Sequence, residues 1–390
     1  MHTTKHRIVV LGAGYTGMFA AIRLARRTRR MDVAIALVNP SDRFTERLRM
    51  HQVAAGQELG DHRIPELLKG TGIEFVQGWA TGIDPDARQV TVDGERTLPY
   101  DTLVYALGSA TDTSLVPGAT EHAYTLNDPR TNHQLSLRLA ELAASGGRVT
   151  VAGGGLTGIE AATEIAESHP GLNVTLVSRS APGGMMGEKA RGYLNRALDR
   201  LRITVRAGAS VAKVLPAGVE LADGEVVASD LVLWTTGVKV PPLAADSGIA
   251  TDGRGLISVD ATLRSTSYPE IHAVGDAAAV RLPWGQIHGT CQSGLPTAQY
   301  TADAIALRLR GKQVKPFRFG YFHQPVSLGR KDAVIQFTGA DDSPRRFFLS
   351  GRAAVAYKDF VSSSPLKTYR FTARGVYLTT FLSKGGRATR

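Results

Sequence analysis

Two glycine clusters carry the residue types and spacing best suited to chemistry in this chain. The first is Gly12-Ala13-Gly14-Tyr15-Thr16-Gly17, and the second is Gly153-Gly154-Gly155-Leu156-Thr157-Gly158. Each follows an apolar run, Ile8–Leu11 or Val149–Ala152, and opens a stretch of helical character. In that setting the first glycine permits a tight turn and the second lets the backbone approach a pyrophosphate. The third lets the helix pack closely on the strand. The phosphate charge then rests on free N–H groups at the positive end of the helix. Gly12, Gly14 and Gly17, with Tyr15 and Thr16 between them, read as one dinucleotide cradle. Gly153, Gly155 and Gly158, with Leu156 and Thr157, read as a second. Two dinucleotides in one chain suit the passage of a hydride from one to the other.

The partners of the two cradles differ. An acidic residue at the end of the second strand commonly bonds the ribose hydroxyls. The first unit has Asn39 there, in Val38-Asn39-Pro40, and an amide can both donate and accept. The second unit has Ser178 followed by Arg179. A carboxylate would repel a 2′-phosphate, whereas serine with arginine can bind one, which favours NADPH over NADH. A solvated surface position is the alternative for Arg179. Glu160, at the start of the second helix, is the candidate to position a nicotinamide amide. A first-turn carboxylate also suits the helix dipole on its own account.

These residues need strands and helices to hold them. Ile8–Leu11, a helix over Met18–Arg30 and Val33–Val38 form a β-α-β unit with its turn at the glycines. Glu74–Gly78, Gln89–Val92 and Leu103–Leu107 read as further strands, and Pro129–Ala144 as a helix. The pattern restarts at Val149–Ala152, with a helix over Ile159–Ser168, a strand at Asn173–Val177 and a closing strand at Leu231–Thr235. Ile271–Val274 and a helix from Thr290 to Arg310 follow. From Lys315 the chain reads as strands and turns, clearest at Val334–Phe337 and Arg345–Leu349. Phe317, Phe319, Tyr321 and Phe322 look like a strand with aromatics on one face, although ordinary core is the favoured reading.

Composition sets the bounds. The chain has 390 residues, 43% of them hydrophobic and 21% charged, with room for two or three domains. A single cysteine, Cys291, excludes an intramolecular disulfide, a cysteine-pair redox relay and a cysteine-based metal site. No metal is expected. The formal charge is +11, but lysine and arginine are scattered, without a basic tail or a nucleic-acid motif. Nucleic acid is therefore not the expected partner; anionic cofactors or an anionic membrane face suit this charge. The apolar run near the N-terminus is too short for a signal peptide. No stretch approaches the ~18 apolar residues of a membrane span.

Two further motifs complete a family pattern. One is Leu103-Val104-Tyr105-Ala106-Leu107-Gly108, echoed at Leu231-Val232-Leu233-Trp234-Thr235-Thr236-Gly237; the other is Ile271-His272-Ala273-Val274-Gly275-Asp276. With the two fingerprints, in this order, the chain resembles the two-dinucleotide flavoproteins of the pyridine nucleotide–disulfide oxidoreductase superfamily over roughly residues 7–310. The resemblance implies an α/β fold with two Rossmann-like domains and a small α+β C-terminal domain. The FAD domain would span 1–112 and 239–314, an NAD(P)H domain 113–238 would be inserted in it, and the C-terminal cap or interface domain would be 315–390. FAD would lie on the first fingerprint and NAD(P)H on the second. Asp276, beside Gly275, would bond the flavin ribityl and phosphate region, although an Asp after glycine also suits a helix N-cap. Ala80 would set its backbone against adenine, and Gly108 and Gly237 would close the two units. His288 and Thr290 would lie at the flavin's pyrimidine edge, where a helix N-terminus stabilises the reduced anion. Cys291 reads as a small packing residue.

The branch most similar is that of the type II NADH dehydrogenases, single-subunit NAD(P)H:quinone oxidoreductases. Gln52-Val53-Ala54-Ala55-Gly56, Thr290-Cys291-Gln292 and Ser327–Val334 resemble its motifs. Disulfide reduction is excluded because Arg43–Gln52 holds no cysteine. The implied reaction is hydride transfer from NAD(P)H to flavin N5, then electron transfer to a quinone or quinone-like small molecule. This chain departs from the branch at Pro296-Thr297, where a Gln-Gln pair is usual, and in a flavin-facing loop that carries Arg47 and Arg49. With His51, those arginines suit a polar or anionic acceptor better than an apolar quinone tail, or else they hold FAD phosphate or sit in solvent. The chain stops soon after Phe381-Leu382-Ser383-Lys384, short of most of the branch's amphipathic membrane-docking extension. A cytoplasmic protein, with at most peripheral contact at the inner face of a membrane, is expected, and by resemblance a homodimer. Two other readings stand beside this one: electron delivery to a small redox protein such as a ferredoxin, and a slow-turnover flavin-binding redox sensor.

Overall fold

Short apolar runs ending in glycine are too brief for buried helices and form the central strands of two parallel sheets. The computed structural model describes residues 5–376. The chain begins with β1 (His6–Leu11), α1 (Tyr15–Thr28), β2 (Val33–Asn39), β3 (Glu74–Gln77) and β4 (Thr102–Tyr105). A three-stranded antiparallel sheet, Ala80–Asp84, Gln89–Val92 and Arg96–Pro99, lies between β3 and β4 in sequence. The chain next passes Ala110–Thr111 and builds β5 (Ala123–Tyr124), α2 (Pro129–Ala144), β6 (Arg148–Ala152), α3 (Leu156–Ser168) and β7 (Asn173–Ser178). To these it adds α4 (Glu188–Arg200), β8 (Thr204–Ala207) and β9 (Leu231–Trp234). It returns at Val238–Lys239, which pairs antiparallel with Ala110–Thr111. After the return come β10 (Ile271–Ala273), α5 (Cys291–Arg308), β11 (His323–Ser327), β12 (Ala333–Thr338), β13 (Pro344–Ser350) and α6 (Gly351–Ala373).

The first sheet has the order β10-β4-β1-β2-β3 and the second β8-β7-β6-β9-β5. In register, Val9 lies beside Ala36 and Leu103, and Val151 beside Leu176 and Leu233. Each fingerprint therefore follows the central strand of its sheet, at the point where strand order reverses and ligands of such sheets bind. Two Rossmann-like units result, with β11–β13 and α6 forming a smaller α+β part. No helix among the described residues is long and apolar enough to cross a membrane. The segment Phe381-Leu382-Ser383-Lys384 lies outside the described residues.

Two expectations for the last part need correction. The region from Lys315 is not only strands and turns, because it ends in α6, a 23-residue helix. Ser362-Ser363-Ser364-Pro365 reads as a breaker, since Pro365 lacks the N–H that would bond the Val361 carbonyl. Ser364 Oγ donates to that carbonyl instead, at 2.8 Å, so the helix continues. Phe317, Phe319 and Tyr321 are buried at period two as expected, but this stretch joins no strand ladder. Its rings pack on one another, with Phe319 and Tyr321 centroids 4.8 Å apart.

Helix α6 closes back on α1. Tyr369 is fully buried, with its ring 5.8 Å from Phe44 and 6.3 Å from Phe19. Its O–H donates to the Tyr15 carbonyl at 2.7 Å. Removing that hydroxyl in Tyr369→Phe should cost about 1 kcal/mol of stability. The check is a lower urea midpoint at unchanged slope; an unchanged midpoint would show that the bond contributes nothing.

Candidate functional site

The two fingerprints have the same geometry. At Gly17 a Cβ would sit 1.9 Å from the Gly12 carbonyl oxygen, and at Gly158 a Cβ would sit 1.8 Å from that of Gly153. Gly12 (φ 92°) and Gly153 (φ 126°) turn in the region that disfavours side chains. Gly14 and Gly155, by contrast, have open space where a Cβ would be. They are the N-cap residues of α1 and α3, and neither helix has a side-chain cap there. Two exposed helix N-termini with uncapped N–H groups are thus presented at the ends of β1 and β6. Their chemistry fits a pyrophosphate at each.

On the first cradle, Asn39 is already engaged. Its Oδ1 accepts from the Ala13 N–H at 3.0 Å and its Nδ2 donates to the Ser41 carbonyl at 2.7 Å. It therefore braces the glycine loop. Thr16 packs where a Cβ on Gly275 or Gly294 would come within 2.9 or 2.6 Å of its Oγ1. The Gly275 N–H bonds Thr297 Oγ1 at 3.0 Å. Thr297, at one of the positions where the sequence departs from the branch it resembles, is thus a buried brace for the Gly275-Asp276 turn. Asp276 accepts from Ser109 Oγ at 2.7 Å, and Arg47 donates to the Ser109 carbonyl. Gly108, with φ 67° and open space at its Cβ position, precedes them. Arg47, Gly108, Ser109 and Asp276 are thus brought together. Ala80 lies apart from them in the antiparallel sheet, paired with Val92.

Thr290 is the N-cap of α5. Its side chain accepts from the Ser293 N–H, and Ser293 Oγ accepts from the Thr290 N–H. His288 stacks on Tyr321 with centroids 4.4 Å apart, and its Nε2 lies 3.4 Å from Asp342 Oδ2. Burial pushes the Cys291 thiol up to about 12, so it stays protonated. Arg49 and His51 do not form an open anion receptor. Arg49 donates to Gln52 at 3.0 Å and lies 3.7 Å from Glu46. Burial pushes His51 down to about 4, so it is neutral at pH 7.

On the second cradle, Ser178 is buried against the loop, and a Cβ on Gly154 would lie 2.1 Å from its Oγ. Arg179 is exposed beside it, as are Gly155 and Thr157, with Leu156 half-buried. Gly237 turns at φ 77° next to Asp112 and Leu115.

Glu160 faces the C-terminal part. Its Oε1 is 2.6 Å from Lys358 Nζ and accepts from the Ser327 N–H at 3.0 Å and Oγ at 3.1 Å. Lys358 also donates to the Pro325 carbonyl at 3.1 Å. Burial opposes ionisation of Glu160, but Lys358 and the other partners outweigh it and hold the carboxyl below its usual range. No hydrogen bond among the described residues engages Oε2, which lies 4.0 Å from His51 Nδ1. The sequence reading missed Lys358, which is 198 positions from Glu160 on a helix that was not expected. It also missed Glu164, although Glu160, Glu164 and Glu167 share one helical face.

Glu164 is fully buried, with its Oε1 bonded by Gln57 Nε2 and its Oε2 without a partner among the described residues. Burial pushes it from 4.5 to about 7, with Arg330 and Gln57 opposing and Glu167 and Glu160 reinforcing. The unfolded chain releases this proton near 4.5 and the folded chain near 7, so the fold loses stability as pH rises through that window. Glu164→Gln should remove the loss. Relative to wild type it should gain up to roughly 3 kcal/mol between about pH 5 and about pH 8, read from urea midpoints. Parallel pH profiles for the two proteins would show that this carboxyl ionises normally.

A family model described as pyridine nucleotide-disulphide oxidoreductase matches residues 6–302. An NADH dehydrogenase-like protein of Mycobacterium tuberculosis is 30% identical over 349 residues, spanning 84% of this chain and 87% of that protein. Demethylphylloquinone reductase of Synechocystis is 28% identical over 377 residues, spanning 92% and 93%. Among solved structures, NDH2 from Plasmodium falciparum in complex with NADH matches the fold with a TM-score of 0.82 at 15% identity, covering 95% of this chain and 97% of that one.

Proposed function

Because this chain belongs to the pyridine nucleotide-disulphide oxidoreductase family, in its NADH dehydrogenase-like branch, we propose that it is an FAD-dependent NAD(P)H oxidoreductase whose acceptor is a quinone or quinone-like small molecule. The observation that carries the reading is the matched pair of open, uncapped helix N-termini at Gly14 and Gly155. FAD, when bound, supplies the two-electron chemistry between nicotinamide and acceptor. Gly12, Gly14 and Gly17 would hold its pyrophosphate, and Asp276 with Ser109 its ribityl side. Residues 1–112 and 239–314 are assigned to this unit and 113–238 to the nucleotide unit. The antiparallel pairing of the two crossings supports that division.

Glu160 is assigned as the group that orients the nicotinamide. Lys358 keeps it ionised, and Oε2 is left to accept from a carboxamide N–H. His288 is assigned to the flavin's pyrimidine edge by resemblance. Engagement of Arg49 and neutrality of His51 favour a quinone-like acceptor over an anionic one. Ser178 and Arg179 favour NADPH, with Arg179 in contact with the 2′-phosphate.

Two variants separate cofactor binding from folding. Gly14→Ala places a Cβ in open space, so it should fold but hold FAD roughly tenfold or more weakly, as expected where backbone must approach phosphate. The readout is flavin absorbance after gel filtration. Retention equal to wild type would place the pyrophosphate elsewhere. Steady-state oxidation with a soluble short-chain quinone then tests the acceptor; turnover only with a ferredoxin would overturn the quinone reading. In the same assay Arg179→Ala should lower kcat/KM for NADPH roughly tenfold or more while sparing NADH. An unmoved preference would remove the 2′-phosphate assignment.

A further inference from the structure

At the end of the first sheet opposite its fingerprint lies a cavity of about 340 Å³. His6, Thr102, Arg264, Glu270, His272 and Arg308 are among the residues that line it. His6 and Thr102 begin or lie at the start of β1 and β4, whereas Gly12 and Gly108 follow the other ends of those strands. The cavity is therefore separate from the nucleotide cradles.

No ion pair within 4.0 Å among the described residues engages Arg264 or Arg308. Arg308 Nη2 donates to Thr262 Oγ1 at 2.6 Å, and Arg264 Nε donates to the Pro269 carbonyl, both neutral acceptors. Arg308 Nη1 is buried with no hydrogen-bond partner among the described residues. The carboxylates at the cavity, Asp101 and Glu270, and Asp260 nearby have other partners. Asp101 pairs with Arg7 at 3.0 Å and Glu270 with Arg88 at 3.3 Å. Asp260 Oδ1 accepts from the Thr262 N–H, the Thr262 hydroxyl and the Arg264 N–H. His272, only 3% exposed, also lines the cavity, and its Nδ1 has no partner among the described residues. His6 is already bonded to Thr102 Oγ1 at 2.9 Å. Burial first, then Arg308 and Arg264, push His272 down to about 3, and burial and Arg264 push Arg308 below its ordinary value. Asp260 opposes both shifts, and burial with the neighbouring arginines outweighs it.

We propose that this cavity between Arg264, His272 and Arg308 is a binding site for a small oxyanion, a carboxylate or a phosphate. Guanidinium groups present planar donor pairs matched to such oxyanions. A bound oxyanion would satisfy the buried Arg308 donor and offset the repulsion between the two arginines. Position gives the site a further meaning. β10, which carries His272, runs on to Gly275-Asp276, and α5, which ends at Arg308, begins next to Thr290. The ligand would thus tie together the far ends of two elements that carry proposed flavin contacts.

Isothermal titration of the FAD-loaded protein tests this, at fixed ionic strength, with inorganic phosphate and separately with succinate. Saturable binding of either probe is expected, and which one binds identifies the source of the oxyanion. Arg308→Gln and Arg264→Gln should each weaken it roughly tenfold or more, the usual cost of losing a charged hydrogen bond, while Arg179→Ala leaves it unchanged. Flavin absorbance and circular dichroism establish that each variant is folded. If Arg308→Gln fails to fold, Arg264→Gln decides. No saturable binding of either probe, undiminished binding in the folded variants, or loss of binding in Arg179→Ala would overturn the proposal. The last result would place the anion at the nucleotide cradle.

Discussion

Everything in the site depends on two contacts that leave no room for a methyl group. Helix α1 lies so close to the turn at Gly12, and α3 so close to that at Gly153, that only glycine fits at 17 and 158. This approach aims each helix along the crevice at the end of its central strand and leaves its first N–H groups uncovered. A bulkier contact would tilt the helix away and leave a phosphate no donors. The same economy recurs at Gly275 and Gly294, where Thr16 occupies the space of the missing side chains. The first cradle, the Gly275-Asp276 turn and the start of α5 are therefore one packed unit.

The smaller part of the molecule joins this arrangement through polar and aromatic contacts. Tyr369 of α6 seals onto α1, while Lys358 of the same helix reaches Glu160 of α3. One helix thus touches both cradle helices. A buried ion pair adds little net stability by itself, but separating its partners costs about 3–5 kcal/mol. Glu160 and Lys358 therefore resist displacement of the second unit from the C-terminal part.

Much of the fold was legible in the sequence because its signals are local. Ile8–Leu11 and Val149–Ala152 are apolar runs stopped by glycine, and the structure makes each a central strand. Helix α6 was not legible, since what carries it past Pro365 is a side-chain bond from Ser364 rather than residue type. At the site, residue identity was readable but its commitments were not. Asn39 has an amide suited to a ribose, and sequence alone does not show that the same amide also braces the glycine loop through Ala13 and Ser41. Arg49 and His51 look like an anion receptor in sequence, whereas packing neutralises the histidine and occupies the arginine. Lys358 was invisible because the contact that gives it meaning is made in space alone.

The paired crossings at Ala110–Thr111 and Val238–Lys239 bear on how such a chain can be assembled at all. The second unit leaves and re-enters the first through neighbouring strands, so its two ends emerge side by side. A folded module with adjacent termini replaces a long flexible loop by a short one, and the entropy of bringing β4 and β10 together falls accordingly. The first sheet can therefore close across the inserted strands and helices with a connection far shorter than the sequence separation of β4 and β10 suggests.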